Sequence, residues 1–238
     1  YDTPIPGYKN GTVNTLRLWK ATATEEFNLQ EFNAGDYAES VAAKNTAENI
    51  SMVLYPNDAN ENGKALRLQQ QYLLASASLQ DIVANWVGRH GNNFTHFADK
   101  NCFQLNDTHP SIAVAELMRI LIDIHGLEWG VAWNIVRKTM AYTNHTLLPE
   151  ALEKWSVELF QKLLPRLMEI IFEINAHFLA EVASHWPGDN ERLSRMSLIE
   201  EGHGYQQVRM AFLAIVGSYS VNGVAELHSK LLQEGLFK

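Results

Sequence analysis

The chain has one cysteine, Cys102, among its 238 residues, so an internal disulfide is excluded. It lacks any run of about eighteen apolar residues, the length that a membrane-spanning helix needs. Its 19 Lys and Arg residues form no basic cluster, and the net charge is −8. Phosphate-loop glycine patterns and the Gly-x-Ser-x-Gly nucleophile elbow are also absent. We therefore expect no membrane and no nucleic acid as partner.

Cys102 lies next to Phe103 at the start of an apolar, strand-like stretch, and we expect it to be a packed free thiol. Of five Asn-x-Ser/Thr sequons, those at Asn106 and Asn144 fall in polar clusters where a glycan would block a ligand. A lone thiol and unused sequons predict a cytoplasmic protein. Because the sequence starts with Tyr1 and ends without a tail, we expect a piece of a longer polypeptide.

Two segments of one design, residues 104–110 and 141–153, are the most informative part of the sequence. In each, an apolar stretch leads into a cluster of Asn, Asp, Thr and His, which is followed by proline and then by a predicted helix. In an open α/β sheet, such clusters lie at the carboxyl ends of strands, where these folds bind ligands. One helical hairpin separates the segments, so we expect two neighbouring strands that face one small-molecule crevice.

The remaining pattern predicts mostly helix, in a helix-rich α/β fold whose other strands lie outside this sequence. Residues 1–12, which contain Pro4 and Pro6, are predicted as loop, and residues 13–19 and 219–221 as strands. One helix is predicted from Asn33 or Asp36 to about Ile50, with few large apolar residues. Further helices are predicted within residues 66–88, 110–125, 128–139, 156–185 with a break at 165, 190–197, 206–215 and from 224.

The nine histidines do not predict a metal site, because neither His-Glu-x-x-His nor a cysteine pair occurs. Asp107, His109 and His145 belong to the polar clusters. His145 either fastens the end of its strand or contacts a ligand, and Asp107 either caps the following helix or contacts a ligand. We expect six other histidines to be solvated or packed: His90, His96, His125, His177, His185 and His203.

Residues 221–228 place a glycine turn before a predicted helix. Its backbone amides either receive a sugar hydroxyl or an anion, or form a plain tight turn. Asn, Asp and His side chains at several strand ends suit a carbohydrate. A glycosidase would also need two opposed carboxylates at a defined separation, and the sequence does not show whether Asp58, Asp107 and Glu150 provide them.

At this point the residues resemble those of the α-glucan phosphorylases, the family of glycogen, starch and maltodextrin phosphorylases. The resemblance runs from Tyr-Asp-Thr-Pro-Ile-Pro-Gly at residues 1–7 to the last helix. It is densest in residues 17–19, 47–50, 53–58, 63–64, 66–68, 104–110, 141–146, 148–153, 174–175, 187–189 and 221–225. A nucleotide-sugar glucan synthase, another two-lobed transferase, has motifs that differ from these runs.

The resemblance implies a fold of two Rossmann-like lobes, with residues 1–238 forming the later part of the N-terminal, glucan-binding lobe. It implies a glycosyltransferase that uses phosphate to split glucose 1-phosphate from α-1,4-glucan, with pyridoxal phosphate as cofactor and a homodimer as the assembly. The Gly-Thr-Ser-Asn-Met-Lys segment that carries the cofactor lysine is not in this sequence. This piece alone is therefore expected to be inactive. The alternative is a non-catalytic carbohydrate-binding or assembly module of the same fold.

Residue by residue, the resemblance implies that His145 holds the glucose 6-hydroxyl with its side chain and faces the developing oxocarbenium ion with its carbonyl. Asp107 and His109 match polar residues lining the pocket, and Thr146 follows His145 in the same motif. Val224 matches a backbone contact to the sugar.

Two further segments have implied roles. Asn57 and Asp58 match a gate loop at the crevice, where Ala59 replaces an asparagine that often contacts the sugar in the family. Residues 33–50 match the projecting helix that pairs subunits in the family dimer.

Overall fold

The computed structural model describes residues 1–24, 27–202 and 204–237. Its residues fall into two compact units, Tyr1–Ala77 and Ser78–Lys238. The helices are α1 Leu29–Asn33, α2 Ala42–Met52, α3 Glu61–His90, α4 Phe97–Lys100, α5 Ala113–Arg119, α6 Trp129–Thr139, α7 Val157–Leu163, α8 Pro165–His185, α9 Asn190–Met196, α10 Met210–Gly217 and α11 Glu226–Leu231. The strands are β1 Asp2–Pro6, β2 Val13–Arg17, β3 Phe103–Asn106, β4 Met140–Asn144, β5 Lys154–Ser156, β6 Ile199–Glu201, β7 Gln206–Arg209 and β8 Ser220–Gly223. This mixture of helices and strands, with helices predominating, confirms the α/β character predicted from the sequence.

The first unit opens with an antiparallel hairpin of β1 and β2, in which Asp2 pairs with Arg17 along the backbone. Arg17 Nε also lies 2.7 Å from Asp2 Oδ1. The prediction of a loop over residues 1–12 is therefore wrong for β1. Proline cannot donate a hydrogen bond to a sheet, but a hairpin of two strands has free edges on both sides, so Pro4 and Pro6 are tolerated.

The single helix predicted from Asn33 or Asp36 to about Ile50 is also wrong at its start. Asn33 is the last residue of α1, and Gly35 follows with a φ of +90°, which breaks the helix. Asp36 Oδ1 accepts a hydrogen bond from the Glu39 N–H at 3.1 Å, where a short 3₁₀ turn, Glu39–Val41, begins. Only then does α2 begin. All residues of α2 are exposed or half-buried.

In the second unit a parallel sheet with the strand order β3–β4–β8 confirms the two predicted neighbouring strands. Asn106 of β3 pairs with Thr143 of β4, which in turn pairs with Asn222 of β8. One face of the sheet is buried, with Leu105, Met140 and Tyr142 at most 2% exposed. Helix α10 packs on β4, and α5 and α6 pack against each other and against α10.

The helices around this sheet follow the predicted pattern with local corrections. Helix α5 starts at Ala113, three residues after Pro110, and continues as a π-helical turn, Ile120–Ile124. Gly126, with a φ of +68°, ends it as predicted. The predicted break at residue 165 is confirmed, because α7 ends at Leu163 and Pro165 starts α8.

A second sheet of this unit, antiparallel with the order β5–β7–β6, was not predicted. The helix expected over residues 206–215 is wrong in its first part, which forms β7 before α10 begins. Each of these strands has only three or four residues. Such short segments show too little alternation of apolar and polar residues to be recognised.

The prediction of a packed Cys102 is wrong, because this residue is exposed just before β3. Its Sγ lies 3.4 Å from the Tyr219 hydroxyl. Within the described ranges, none of the helices combines the length and the apolar character needed to cross a bilayer.

Candidate functional site

The carboxyl end of β3 passes directly into Asp107, a half-buried residue in the left-handed backbone region with a φ of +65°. Its N–H donates to the Thr143 carbonyl at 3.0 Å, which continues the pairing of β3 with β4 by one residue. Its Oδ1 accepts from the Thr108 N–H at 2.6 Å. The alternative that Asp107 caps the next helix is wrong, because Ile112 directly precedes α5.

His145 lies one residue beyond β4 and is exposed. Its Nε2 is 2.5 Å from Asn106 Oδ1 at the end of β3. Thr143 lies between these side chains and Asn222 of β8, since Thr143 Oγ1 is 3.1 Å from Asn222 Oδ1. The structure therefore brings the two predicted clusters together on the exposed face of the parallel sheet, at its carboxyl edge.

On the buried face, Asn144 organises the loop that follows β4. Asn144 is fully buried, and its Nδ2 donates to the Tyr142 hydroxyl at 3.0 Å. Its Oδ1 accepts from the Thr146 N–H at 2.9 Å. Thr146 Oγ1 accepts in turn from the Leu148 N–H at 3.1 Å. The main chain directly after His145 is thus held by the buried side chain of Asn144.

The phenol of Tyr142 beneath this edge is shielded from water. Burial raises the pKa of Tyr142 to about 12, and the negative charges of Asp107 and Glu153 act in the same direction. The hydrogen bond from Asn144 opposes this change, because it favours the phenolate. Tyr142 therefore remains a neutral hydrogen-bonding group at neutral pH.

The backbone amides at the turn after β8 donate hydrogen bonds to side chains of the following helix. The Gly223 N–H donates to Ser229 Oγ at 2.9 Å, and the Val224 N–H donates to His228 Nδ1 at 3.0 Å. A Cβ on Gly223 would lie only 2.7 Å from His228 Nδ1. Of the two interpretations left open for residues 221–228, the structure favours a tight turn, and the amides of Gly223 and Val224 are not free for a ligand.

His109 lies half-buried in the connection between β3 and α5, close in sequence to Asp107. Glu150 lies exposed in a 3₁₀ turn, Pro149–Ala151, beyond the second cluster. In the described part of the chain, no three His, Cys, Asp or Glu side chains lie close enough together to hold a metal ion.

Asn57 and Asp58 lie in the first unit, directly before α3. Asn57 Oδ1 accepts from the Ala59 N–H at 2.9 Å, and Asp58 Oδ2 accepts from Arg67 Nη1 at 2.8 Å. A Cβ on Gly63 would lie 1.8 Å from the Asn57 carbonyl oxygen, so this loop folds tightly onto the start of α3.

The other histidines that the structure describes fit the expectation of solvated or packed side chains. His96 Nδ1 lies 2.7 Å from Asp99 on the surface, and His125 Nδ1 lies 2.7 Å from Asn92. His177 stacks on Trp129. His203 lies outside the described residues.

Sequence reasoning did not single out Asn106, Asn222 or His228. Asn106 is the last residue of β3 and Asn222 is the second-last residue of β8, so their position at or next to a predicted strand was the available signal. His228 gave no signal, because its contact with Val224 depends on where α11 begins.

The comparison with known families assigns the chain. The family model described as carbohydrate phosphorylase matches residues 1–238. Since the match covers every residue, the chain belongs to the carbohydrate phosphorylase family.

Among similar proteins are the muscle form of glycogen phosphorylase from Mus musculus and the brain form from Homo sapiens. The muscle form from Oryctolagus cuniculus is a third. Each is 54% identical over 245 residues, an alignment that covers 100% of this chain and 29% of the relative. The chain thus spans less than a third of the length of these curated relatives.

Proposed function

We propose that this chain is the glucan-binding part of an α-glucan phosphorylase, a glycosyltransferase of glycogen degradation that uses phosphate to release glucose 1-phosphate from the ends of α-1,4-glucan. The observation that carries the proposal is the parallel pairing of β3, β4 and β8. Parallel strands end at the same edge of a sheet, so Asp107, His145 and Val224 follow strands that end together. The family match and the similarity to glycogen phosphorylases support the same conclusion.

In this proposal His145 is the central residue of the glucosyl pocket. Its side chain binds the glucose 6-hydroxyl, and its carbonyl oxygen faces the anomeric carbon. A carbonyl dipole that is fixed before the reaction stabilises the positive charge that develops as the glycosidic bond breaks. The hydrogen bonds of the buried Asn144 side chain support this role, because they tie the Thr146 N–H, directly after His145, to the Tyr142 hydroxyl in the core.

Asp107, His109 and Thr146 line the same pocket as hydrogen-bonding groups. The contact from Val224 uses its carbonyl oxygen, because its N–H already donates to His228 Nδ1. Asn57 and Asp58 form the gate loop, and Ala59 cannot supply the amide contact that many family members make. We therefore expect a weaker sugar contact from this loop.

Pyridoxal phosphate is the cofactor of the proposed enzyme, and it is held outside these residues. The described lysines do not fit it, because each is exposed or half-buried, whereas a Schiff-base lysine is desolvated. In this proposal residues 1–238 form the later part of the N-terminal lobe of a two-lobed enzyme, and the second lobe holds the cofactor and the phosphate.

Residues 33–50 are the proposed dimer contact. Helix α2 buries none of its residues within the chain. Next to it, the rings of Phe27, Phe32 and Tyr37 pack on one another yet are each at least 41% exposed. Exposed apolar groups of this kind favour burial against a second subunit. The single unpaired thiol supports a cytoplasmic enzyme.

The test is His145→Asn in the full-length protein, with glucose 1-phosphate formation from glycogen and phosphate as the measurement. We expect kcat to fall by about 100-fold, because without the imidazole that holds the 6-hydroxyl the glucosyl group is misplaced relative to the reacting groups. The matched control is His96→Asn, an exposed histidine outside the site, which should leave kcat unchanged.

Equal turnover for both variants would contradict the assignment of His145. If the unchanged full-length protein binds glycogen but forms no glucose 1-phosphate, the chain belongs to a non-catalytic carbohydrate-binding protein of the same fold, and the proposal fails as a whole.

A further inference from the structure

Asn106 is the only side chain among the described residues that forms a hydrogen bond to the His145 ring. The two residues are diagonal neighbours, because Asn106 pairs with Thr143 and His145 lies two residues further along the chain. Their side chains project on the same, exposed face of the sheet, and Asn106 Oδ1 lies 2.5 Å from His145 Nε2.

This contact fixes which ring nitrogen carries the proton. An amide oxygen can only accept a hydrogen bond, so Nε2 of His145 must be the donor. In the neutral imidazole the other nitrogen, Nδ1, is then a bare acceptor. Within the part of the chain that the structure describes, Nδ1 has no hydrogen-bond partner, and His145 is exposed. The ring therefore presents an acceptor to the surface at the carboxyl edge of the sheet.

The position of Asn106 is itself held firmly by neighbours on both sides. The next residue, Asp107, donates its N–H to the Thr143 carbonyl at 3.0 Å. Two residues before it, the backbone of Gln104 pairs with Ala141 of β4. The main chain that carries the Asn106 side chain is thus paired on either side. A group that positions another side chain needs such a rigid attachment.

We propose that Asn106 is the positioning residue of His145. It holds the tautomer in which Nδ1 accepts a hydrogen bond from the primary hydroxyl of the hexose, and so it contributes to selection of sugars that carry a 6-hydroxyl. The proposal rests on the function proposed above. It assigns Asn106 no contact with the substrate, because its effect is transmitted through the imidazole.

The test compares Asn106→Leu with Asn106→Asp in the full-length protein. Each variant extends glycogen with glucose 1-phosphate or with 6-deoxyglucose 1-phosphate. We expect Asn106→Leu to lower kcat/KM about 10- to 100-fold for glucose 1-phosphate, as losses of orienting partners often do. The 6-deoxy sugar has no hydroxyl to bind, so its kcat/KM should hardly change. Asn106→Asp keeps an oxygen acceptor and should restore most of the preference for the 6-hydroxyl.

Gln104→Met is the matched control, because it removes an amide from the same face of the same strand without touching His145. It should leave the ratio of the two kcat/KM values unchanged. An Asn106→Leu loss that is equal for both sugars would assign Asn106 a merely structural role and overturn the inference. The same follows if Asn106→Asp behaves like Asn106→Leu.

A third variant separates this inference from the proposed function. If His145→Ala is as active as the unchanged protein, the proposed site itself is wrong. If His145→Ala loses the preference for the 6-hydroxyl while Asn106→Leu keeps it, only the role of Asn106 is wrong.

Discussion

The strand ends after β4 and after β8 carry the same kinds of residue but use them in opposite ways. After β4, His145 is exposed and bonded to a neighbouring strand through one ring nitrogen. After β8, His228 is only 9% exposed and accepts the Val224 N–H, while its Nε2 has no partner among the described residues. The imidazole of His145 is exposed to solvent, whereas that of His228 accepts a hydrogen bond within the turn after β8.

The difference comes from the position of the next helix. Helix α11 starts at Glu226, soon after β8, so its first turn brings His228 back onto the amides of the turn. After β4 the chain continues as a loop to the 3₁₀ turn Pro149–Ala151, and nothing in this loop covers His145. A histidine at a strand end therefore becomes available to a ligand only where the following helix starts late.

The largest contrast is expected between His145→Leu and His228→Leu in the full-length protein. His145→Leu should lower turnover about 100-fold, or about 2.7 kcal/mol, because the sugar loses the group that positions its 6-hydroxyl. It should not lower the urea midpoint of unfolding. His228→Leu should lower the free energy of unfolding by about 0.5–1.5 kcal/mol, because the half-buried Val224 N–H loses its acceptor. Urea unfolding and initial rates measured on both variants check this. If the two variants lose the same free energy of unfolding, His145 also has a structural role, and the proposed difference between the two histidines is wrong.

Gly223→Ala is expected to disrupt the β8 turn directly. The new Cβ would lie 2.7 Å from His228 Nδ1 and 3.0 Å from the Ser229 backbone nitrogen. Such overpacking costs about 1–3 kcal/mol, which urea unfolding would report. The control is Gly130→Ala in α6, where nothing lies within 4 Å of the added Cβ. There we expect a gain of about 0.5–1 kcal/mol, since alanine favours helix. Equal effects at both sites would contradict the tight packing of the turn.

Tyr142→Phe tests whether the buried phenol beneath the β4 strand end makes the folded state less stable at high pH. The phenol keeps its proton in the folded state up to a pKa of about 12, whereas an unfolded tyrosine loses it near 10. The unfolded state is therefore favoured as pH rises from about 10 toward 12, and at pH 11 the folded state should lose about 1.4 kcal/mol. Tyr142→Phe removes this loss, although it costs about 1 kcal/mol at pH 7 because the Asn144 amide loses its acceptor.

The measurement is urea unfolding at pH 7 and at pH 11 for both proteins. The control is Tyr8→Phe, since Tyr8 is 85% exposed and should leave the pH dependence unchanged. If the loss between the two pH values is the same with and without Tyr142, the phenol is not shielded.

The smallest effect is expected for Thr143→Val, which removes the hydroxyl between the two strand ends while keeping the branched shape. Thr143 Oγ1 accepts from Gln104 and donates to Asn222. Because these groups are partly exposed, the loss in unfolding free energy should be about 0.5–1 kcal/mol. Ser220→Ala, on the same face of β8, should change it by less than about 0.5 kcal/mol. If Thr143→Val costs no more than Ser220→Ala, the hydrogen bonds of the Thr143 hydroxyl do not contribute to stability.

Much of the fold was predictable from local signals. Pro165 fixed a helix start, Gly126 a helix end, and the two apolar stretches before the polar clusters became β3 and β4. Strand β1 was not predicted because its two prolines are typical of a loop. Strands β5, β6 and β7 were not predicted because each is too short to show an alternating pattern. Asp107 was left between two interpretations, since capping depends on a helix start that moved to Ala113.

The sequence by itself determined β2, β3, β4 and β8, most of the helices and the two polar clusters, because spacing, proline and glycine act over a few residues. Only the tertiary structure decided which polar groups remain open to a ligand. It paired Asn106 with His145 across two strands and buried His228 beneath its own turn. Both outcomes depend on strand register and on where the next helix begins, and these are set by packing between residues far apart in the chain.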